Sequence, residues 1–464
     1  MNLRRWSAGI VVGVALLARL GVVAWASGRF PPADDGKFYQ VVAARIADGL
    51  GYTWLWPDGA VTYAAHYPVG YPALLGAFYA LFGSAPLVAM LVNAAIGTLG
   101  AWAAYRVAAS VAPPAPALGC GLVAALHPGL VFYTPALMTE GVTAALFAAV
   151  AALCVLSRER ASRPWLWLIA MGVLSGVLVL VRPQALLFAP LAGALAFARA
   201  ALGRRLGGAL LVTALSIGVC LPWTARNCAR LERCVFVSAN GGWNLYIGAA
   251  PGATGSWVAL DELGVPPECR EVYGEAEKDQ CFGRAGLRHV LDRPAHFVAL
   301  IPKKLAATFD WSGAPGHYLH TSNPAAFSYD AKVRLGVAEL VVERLVVLLG
   351  LLGIGRGGLG RRAQLKRVVV AMALPWLFLR WAWVAHLLLV VAAALDGRAL
   401  AQRPAVALGA GVVLVTAVTH AVFFGAGRYG LVCALLLVAL AAEAFRRSTT
   451  SARTGSSSLG RDGS

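Results

Sequence analysis

The chain has 464 residues, of which 59% are hydrophobic and 13% charged, with a mean hydropathy of +0.68. Charged residues are about half as frequent as the roughly 25% of an ordinary soluble domain, too few to cover so much apolar surface in water. Soluble-enzyme, DNA-binding and disordered readings are excluded, and lipid is the main solvent.

The formal charge is +18. Two stretches read as non-membranous, 28–68 and 224–334, and together they carry 15 acidic and 15 basic side chains. All the excess positive charge therefore lies beside apolar spans. It clusters at Arg4/Arg5, Arg158/Arg160/Arg163, Arg204/Arg205, Arg356–Arg367 and Arg446/Arg447. This is the positive-inside pattern: those ends are expected in the cytoplasm and the two neutral stretches outside. Topology accounts for the basic clusters, so no nucleic-acid partner is expected.

In chain order, Ala8–Ser27 is the first apolar run, preceded by Arg4 and Arg5, and reads as a retained span. The first outer loop, 28–68, follows. Gly70–Phe82 is apolar but too short to span comfortably. Spans are then expected over Pro86–Val111, Ala117–Leu137, Gly141–Leu156, Trp165–Val181, Ala185–Ala198 and Gly207–Trp223. The 224–334 stretch holds half of all the acids and is large enough for a small mixed subdomain. Within it Arg284–Phe309 reads as amphipathic helix, broken at Pro294 and Pro302. Leu335–Ile354, Val368–Leu395, Ala405–Phe424 and Leu431–Phe445 complete the set. Val368–Leu395 is long for one span and short for a hairpin, with Arg380 in its middle. The expected fold is all-α and polytopic, with about 11–13 transmembrane helices. It divides into a membrane module 1–223, the outer segment 224–334, a second membrane module 335–447 and a Ser/Gly-rich disordered tail 448–464.

Cys120, Cys154, Cys220 and Cys433 fall in apolar runs as packed thiols, whereas Cys228, Cys234, Cys269 and Cys281 all fall in the outer segment. Four cysteines allow three pairings. The most local one bridges Cys228 to Cys234 and Cys269 to Cys281, and free thiols are the alternative.

The informative polar residues sit near the outer membrane face. Asp34 and Asp35 follow the first span, with Tyr39, His66 and Tyr71 downstream. An acidic pair there can supply a general base, or can be two solvated loop acids. Glu140 opens a span: it is either a functional group or a first-turn acid favoured by the helix dipole, with Thr139 as cap. Arg182, Arg226 and Arg428, the last followed by Tyr429, lie at outer ends of spans, where topology does not require them. Their planar donors suit phosphate oxygens, with snorkelling or pairing to an acid as the alternative. Asn240–Gly248, including Asn244, is a Gly/Asn/aromatic stretch that suits a sugar and also suits an ordinary turn.

Taken together, four patterns resemble the GT-C superfamily of polytopic glycosyltransferases, in the branch of protein O-mannosyltransferases and lipid A aminoarabinose transferases. They are Asp35-Gly36-Lys37-Phe38-Tyr39 with Gly49-Leu50-Gly51-Tyr52 and Pro68-Val69-Gly70-Tyr71-Pro72; His127-Pro128 with Thr139-Glu140; Arg226-Asn227 with Asn240–Gly248; and Phe423-Phe424 with Arg428-Tyr429. The resemblance implies an inverting membrane transferase, with a polyprenyl-phosphate sugar as donor and an extracytoplasmic protein, lipid or glycan as acceptor. Asp35, with Asp34 second, matches the family's catalytic acid. Gly36 stands where many members have Glu, so any role of that Glu is missing or shifted to Asp34. The resemblance makes Arg182, Arg226 and Arg428, with Tyr429, candidates for the donor phosphate. Tyr39, His66, Tyr71, Glu140, Asn240 and Asn244 become candidates for shaping the substrate site. No cofactor or metal is assigned, with a divalent cation left open. The composition points to a bacterial cytoplasmic membrane, with the amino terminus inside and the site facing out. The competing classes are a flippase for a polyprenyl-linked glycan, which would place ionisable residues such as Arg380 or Arg106 near mid-membrane, and an inactive scaffold with a sugar-binding outer segment.

Overall fold

The computed structural model describes residues 3–159, 164–231, 233–356 and 360–446. The tail 448–464, expected to be disordered, lies outside the described residues, as do Arg160, Arg163 and Arg447 of the basic clusters.

Eight described helices are long and apolar enough to cross a membrane: Arg5–Ala26, Pro86–Ala109, Pro114–Ala136, Thr139–Glu159, Pro164–Val181, Leu202–Arg230, Pro404–Val422 and Gly427–Phe445. The protein is an all-α, polytopic integral-membrane protein. These eight are picked out by length and composition alone, and shorter or more polar helices add to them toward the 11–13 expected. Gly70–Phe82, Pro183–Ala196 and Ala382–Ala394 are apolar but short. A 13-residue helix reaches only about 20 Å, against about 30 Å of hydrocarbon. Tyr329–Gly355 has 27 residues but carries Glu339, Glu343 and Arg344 along the run expected to span.

The centre of the bundle is formed by Thr139–Glu159, Pro404–Val422 and Gly427–Phe445, whose apolar windows are 78%, 78% and 83% buried. Arg5–Ala26 and Leu202–Arg230, at 28% and 22%, lie at its edge. Small residues let the central helices approach closely: a Cβ on Gly409 would stand 2.7 Å from Leu440 Cδ1.

The stretch 368–395 is a hairpin. Arg361–Ala373 and Ala382–Ala394 pack together, and Lys366 Nζ donates to Asp396 Oδ1 at 2.6 Å across the base. Arg380 therefore sits at the tip, between exposed Leu379 and Trp381, and not in the middle of a span. Trp383 N–H fastens the tip to Asp310 Oδ1 at 2.8 Å.

Strong ion pairs gather at the hairpin-base end. Arg403 bonds Asp396 at 2.6 Å and Glu443 at 3.0 Å. Arg106, at the end of its span, pairs with Glu159 at 2.9 Å.

The outer segment is mainly helical among its described residues: Gly241–Ala249, Glu275–Asp292, Pro294–Phe309 and Ala314–Ser322, with a longer irregular stretch after the first that holds only the short turns Leu260–Leu263 and Pro267–Cys269. The break falls at Pro294, as expected, but Pro302 lies inside a continuous helix. Tyr246, Ala250, Cys269, Cys281, Phe282 and Ala285 form its own small core. Cys228 is bonded to Cys234 and Cys269 to Cys281, while Cys120, Cys154, Cys220 and Cys433 are buried and free. The two described strands lie in the first outer loop instead, where Thr53–Leu55 pairs antiparallel with Val61–Tyr63.

Candidate active site

The helix Asp35–Ala47 starts immediately after Asp34, whose φ of 49° is left-handed. Leu137 is the other described non-glycine residue with positive φ, at 51°. The two flank one contact, because Gly36 lies against the Ala136 carbonyl and Leu137. A Cβ on Gly36 would stand 2.9 Å from Ala136 O. No side chain fits there, which explains why glycine holds this position. Left-handed non-glycine residues cost about 1–3 kcal/mol each and persist where the surroundings enforce them, often at functional sites.

This docking presents Asp35 to the opposite wall. Its Oδ1 accepts from Tyr67 Oη at 2.7 Å and its Oδ2 from Arg428 Nη1 at 2.8 Å. Burial pushes the Asp35 carboxyl upward. The Arg428 charge and the bonds from Tyr67 and Arg428 outweigh it, and the carboxyl is held below its ordinary range. Arg428 Nη1 also donates to Tyr318 Oη at 2.7 Å, and Nη2 to Tyr429 Oη at 3.2 Å. Tyr429 is stacked on His420 with ring centroids 4.1 Å apart.

Behind Arg428 lies Glu140, 1% exposed at the start of its helix. It accepts from Tyr133 Oη at 2.6 Å and from Arg182 Nη2, and stands 3.7 Å from Arg428 Nε. Arg182 also reaches Thr139 Oγ1 at 3.1 Å and lies over the Tyr429 ring. Two carboxylates and two guanidiniums thus form one compact group with no net charge. Tyr39 is buried beside it, with Tyr67 and Tyr71 edge-on at 5.4 Å each. Tyr71 Oη donates to Asn93 Oδ1 at 3.1 Å.

The mouth is framed by the outer segment. Its helix Ala314–Ser322 supplies Tyr318 and His317, and His317 Nε2 stands 3.9 Å from Asp34 Oδ2, both about half exposed. Ser322 Oγ donates to Pro31 O at 2.6 Å. His66 packs against Tyr67 and Trp243. Burial holds its imidazole below the ordinary value, against the pull of Asp35. Its backbone N–H is fixed by Glu275 Oε1 at 2.9 Å.

The structure therefore brings together Asp35, Glu140, Arg182, Arg428, Tyr429, Tyr39 and Tyr71, with Asp34 and His66 at the rim. Arg226 is placed elsewhere: its donors go to the carbonyls of Ala64 and Tyr52, at 2.9 and 2.7 Å, and it lies over Trp223. It clamps the first outer loop to the end of its helix. Asn240 Oδ1 accepts from Ser238 Oγ at 3.0 Å, at the start of the helix that carries Asn244. Among the described residues no hydrogen bond of either asparagine reaches the Asp35–Arg428–Glu140 group. Sequence reasoning did not single out Tyr67, Tyr318 and His317 as site residues. Tyr67 lies between His66 and the motif that begins at Pro68, whereas the pair His317-Tyr318 carries no local signal. Among the described residues, no group of three or more His, Cys, Asp or Glu side chains is arranged to hold a metal ion.

Residues 66–225 match the family described as dolichyl-phosphate-mannose-protein mannosyltransferase. The match covers about a third of the chain, including Glu140 and Arg182 but neither Asp35 nor Arg428. The chain resembles the GT-C membrane glycosyltransferases of that branch. It is also similar to solved structures. One is the oligosaccharyltransferase AglB from Archaeoglobus fulgidus in complex with an inhibitory peptide and a dolichol-phosphate, at 14% identity and a TM-score of 0.48, covering 96% of this chain and 50% of that one. Another is ArnT from Cupriavidus metallidurans bound to undecaprenyl phosphate, at 19% identity and a TM-score of 0.38, covering 93% and 77%. The chain spans about half the length of the oligosaccharyltransferases it aligns with, and likenesses of this size bear on neither activity nor substrate. None of the curated proteins matches the chain.

Proposed function

We propose that the chain is an integral-membrane glycosyltransferase that moves a sugar from a polyprenyl-phosphate donor to an extracytoplasmic acceptor, with inversion at the anomeric carbon. One observation carries the reading. A partly buried carboxylate, Asp35, and two arginines, Arg428 and Arg182, converge from three distant parts of the chain onto one end of the bundle. The family match over 66–225 supports the same class.

The chemistry follows from the charges. The acceptor oxygen attacks the anomeric carbon from the face opposite the lipid phosphate, and Asp35 takes the acceptor proton where there is one. The new C–O bond forms as the bond to the phosphate oxygen breaks. That electron pair leaves with the lipid phosphate, whose added charge Arg428 and Arg182 stabilise. His66 and Asp34 sit at the rim where a sugar or acceptor would approach, while Tyr39 and Tyr71 are buried beside the charged group. On the division expected from sequence, all three parts contribute. Asp35, Glu140 and Arg182 come from 1–223, Tyr318 from 224–334 and Arg428 from 335–447. The charge pattern supports an amino terminus inside and a site outside, and the composition supports a bacterial cytoplasmic membrane.

The test is sugar release and transfer by the purified protein in lipid, from a panel of labelled polyprenyl-phosphate sugars with nucleotide sugars as controls. One lipid-linked sugar is expected to be used, and Asp35→Asn is expected to lower turnover by about 10²–10⁴-fold. Full turnover by the variant would remove Asp35 from the chemistry. Movement of the intact lipid-linked sugar between leaflets would replace the transferase with a flippase.

A further inference from the structure

The site group is neutral, and the arginines proposed for the phosphate are engaged with its carboxylates. Arg428 has five N–H donors. Two on Nη1 go to Asp35 and Tyr318 and one on Nη2 to Tyr429, while Nε faces Glu140 at 3.7 Å. Little of its donor capacity remains for a phosphate while Asp35 stays bonded.

We propose that Arg428 changes partners during the reaction, passing its Nη1 bond from Asp35 to the leaving lipid phosphate at the moment Asp35 is protonated. This rests on the reading of the site given above. The acceptor O–H proton goes to Asp35, whose charge falls from −1 to 0. The phosphodiester of the donor becomes a monoester, and its charge goes from −1 toward −2 as the anomeric C–O bond breaks. One negative charge leaves Arg428 on one side as another arrives on the other, so the guanidinium is never left uncompensated in a buried site. Tyr318 and Tyr429 bond the same guanidinium throughout and keep it in place, which makes Tyr318 a positioning residue supplied by the outer segment. Product release then requires Asp35 to lose its proton and reclaim Arg428.

The consequence can be read without turnover. With Asp35 neutral, the lipid monophosphate binds more tightly, and the gain depends on Arg428. The experiment measures the affinity of undecaprenyl phosphate for the full chain in nanodiscs, in wild type, Asp35→Asn, Arg428→Gln and the double variant. Asp35→Asn is expected to bind about tenfold more tightly than wild type, with the gain falling below about twofold in the Arg428→Gln background. An equal gain in both backgrounds overturns the proposal, because removal of any nearby negative charge would then explain it. Absence of a gain in Asp35→Asn overturns it as well. If Arg428→Gln does not fold, Arg428→Met replaces it, since a thioether has no N–H to pass between partners, and an undiminished gain in that background is equally contrary. Failure of wild type and Asp35→Asn alike to bind the lipid phosphate identifies a different fault, in the polyprenyl-phosphate reading itself.

Discussion

At the residue scale the site is a balance of burial against charge. Glu140 is almost wholly buried, and Arg182, Arg428 and Tyr133 converge on it. Removing its charge leaves Arg182 without its partner, and breaking such a buried pair costs about 3–5 kcal/mol. Glu140→Gln is therefore expected to lower the thermal midpoint markedly as well as activity. An unchanged midpoint would mean the pair is better solvated than its burial implies. Asp35 differs, because Tyr67 can still donate to an asparagine oxygen. Asp35→Asn should keep most of its stability while losing turnover. Much of this site was legible in the sequence, since Asp35, Glu140, Arg182 and Arg428 stood where charge is expensive. Arg226 had the same local signature, but folding turned it toward backbone carbonyls. Tyr318 could not be found that way, because only the folding of the outer segment brings a lone tyrosine beside an arginine 110 positions further on.

At the element scale, the docking of the helix Asp35–Ala47 sets the position of the carboxylate. Gly36→Ala places a methyl 2.9 Å from the Ala136 carbonyl, so the helix must back away. Expected are a fall in turnover and little change in helix content by circular dichroism; wild-type turnover would show that the contact does not position Asp35. The hairpin makes a second prediction. Asp310 holds the N–H of Trp383, and burial raises its carboxyl to about 6, against the smaller opposing pull of that bond and of Arg344. A carboxyl raised on folding contributes stability that is present below its unfolded value of about 3.9 and is lost as pH rises through about 6. Asp310→Asn should therefore raise the thermal midpoint at pH 8 and change it little at pH 4. A midpoint lowered at pH 8 would contradict this. Hydropathy alone left 368–395 undecided, because a pair of short helices and one long span have the same composition. The contact between Lys366 and Asp396 is long-range information.

At the scale of the whole molecule, charge is sorted between the two ends of the bundle. The Asp35–Arg428–Glu140–Arg182 group occupies one end. Arg106–Glu159 and the Lys366–Asp396–Arg403–Glu443 network lie at helix ends away from it. The polytopic class was legible because composition and apolar length are averages over many residues. Which apolar runs form one long helix and which form shorter pieces was not, because both have the same composition. The Cys269–Cys281 bond lies in the small core of the outer segment. Its loss as Cys269→Ala with Cys281→Ala should destabilise that segment by about 2–4 kcal/mol. Faster proteolysis within 224–334 is expected, with the membrane bundle intact; unchanged proteolysis would show that the helical core alone holds the segment. The most direct test of the whole account is a structure of the full chain in lipid with bound undecaprenyl phosphate. The predicted result is a phosphate within hydrogen-bond distance of Arg428 and Arg182, with Asp35 turned toward the acceptor side. A phosphate seated at Arg226, or anywhere away from the Asp35 end of the bundle, would contradict it.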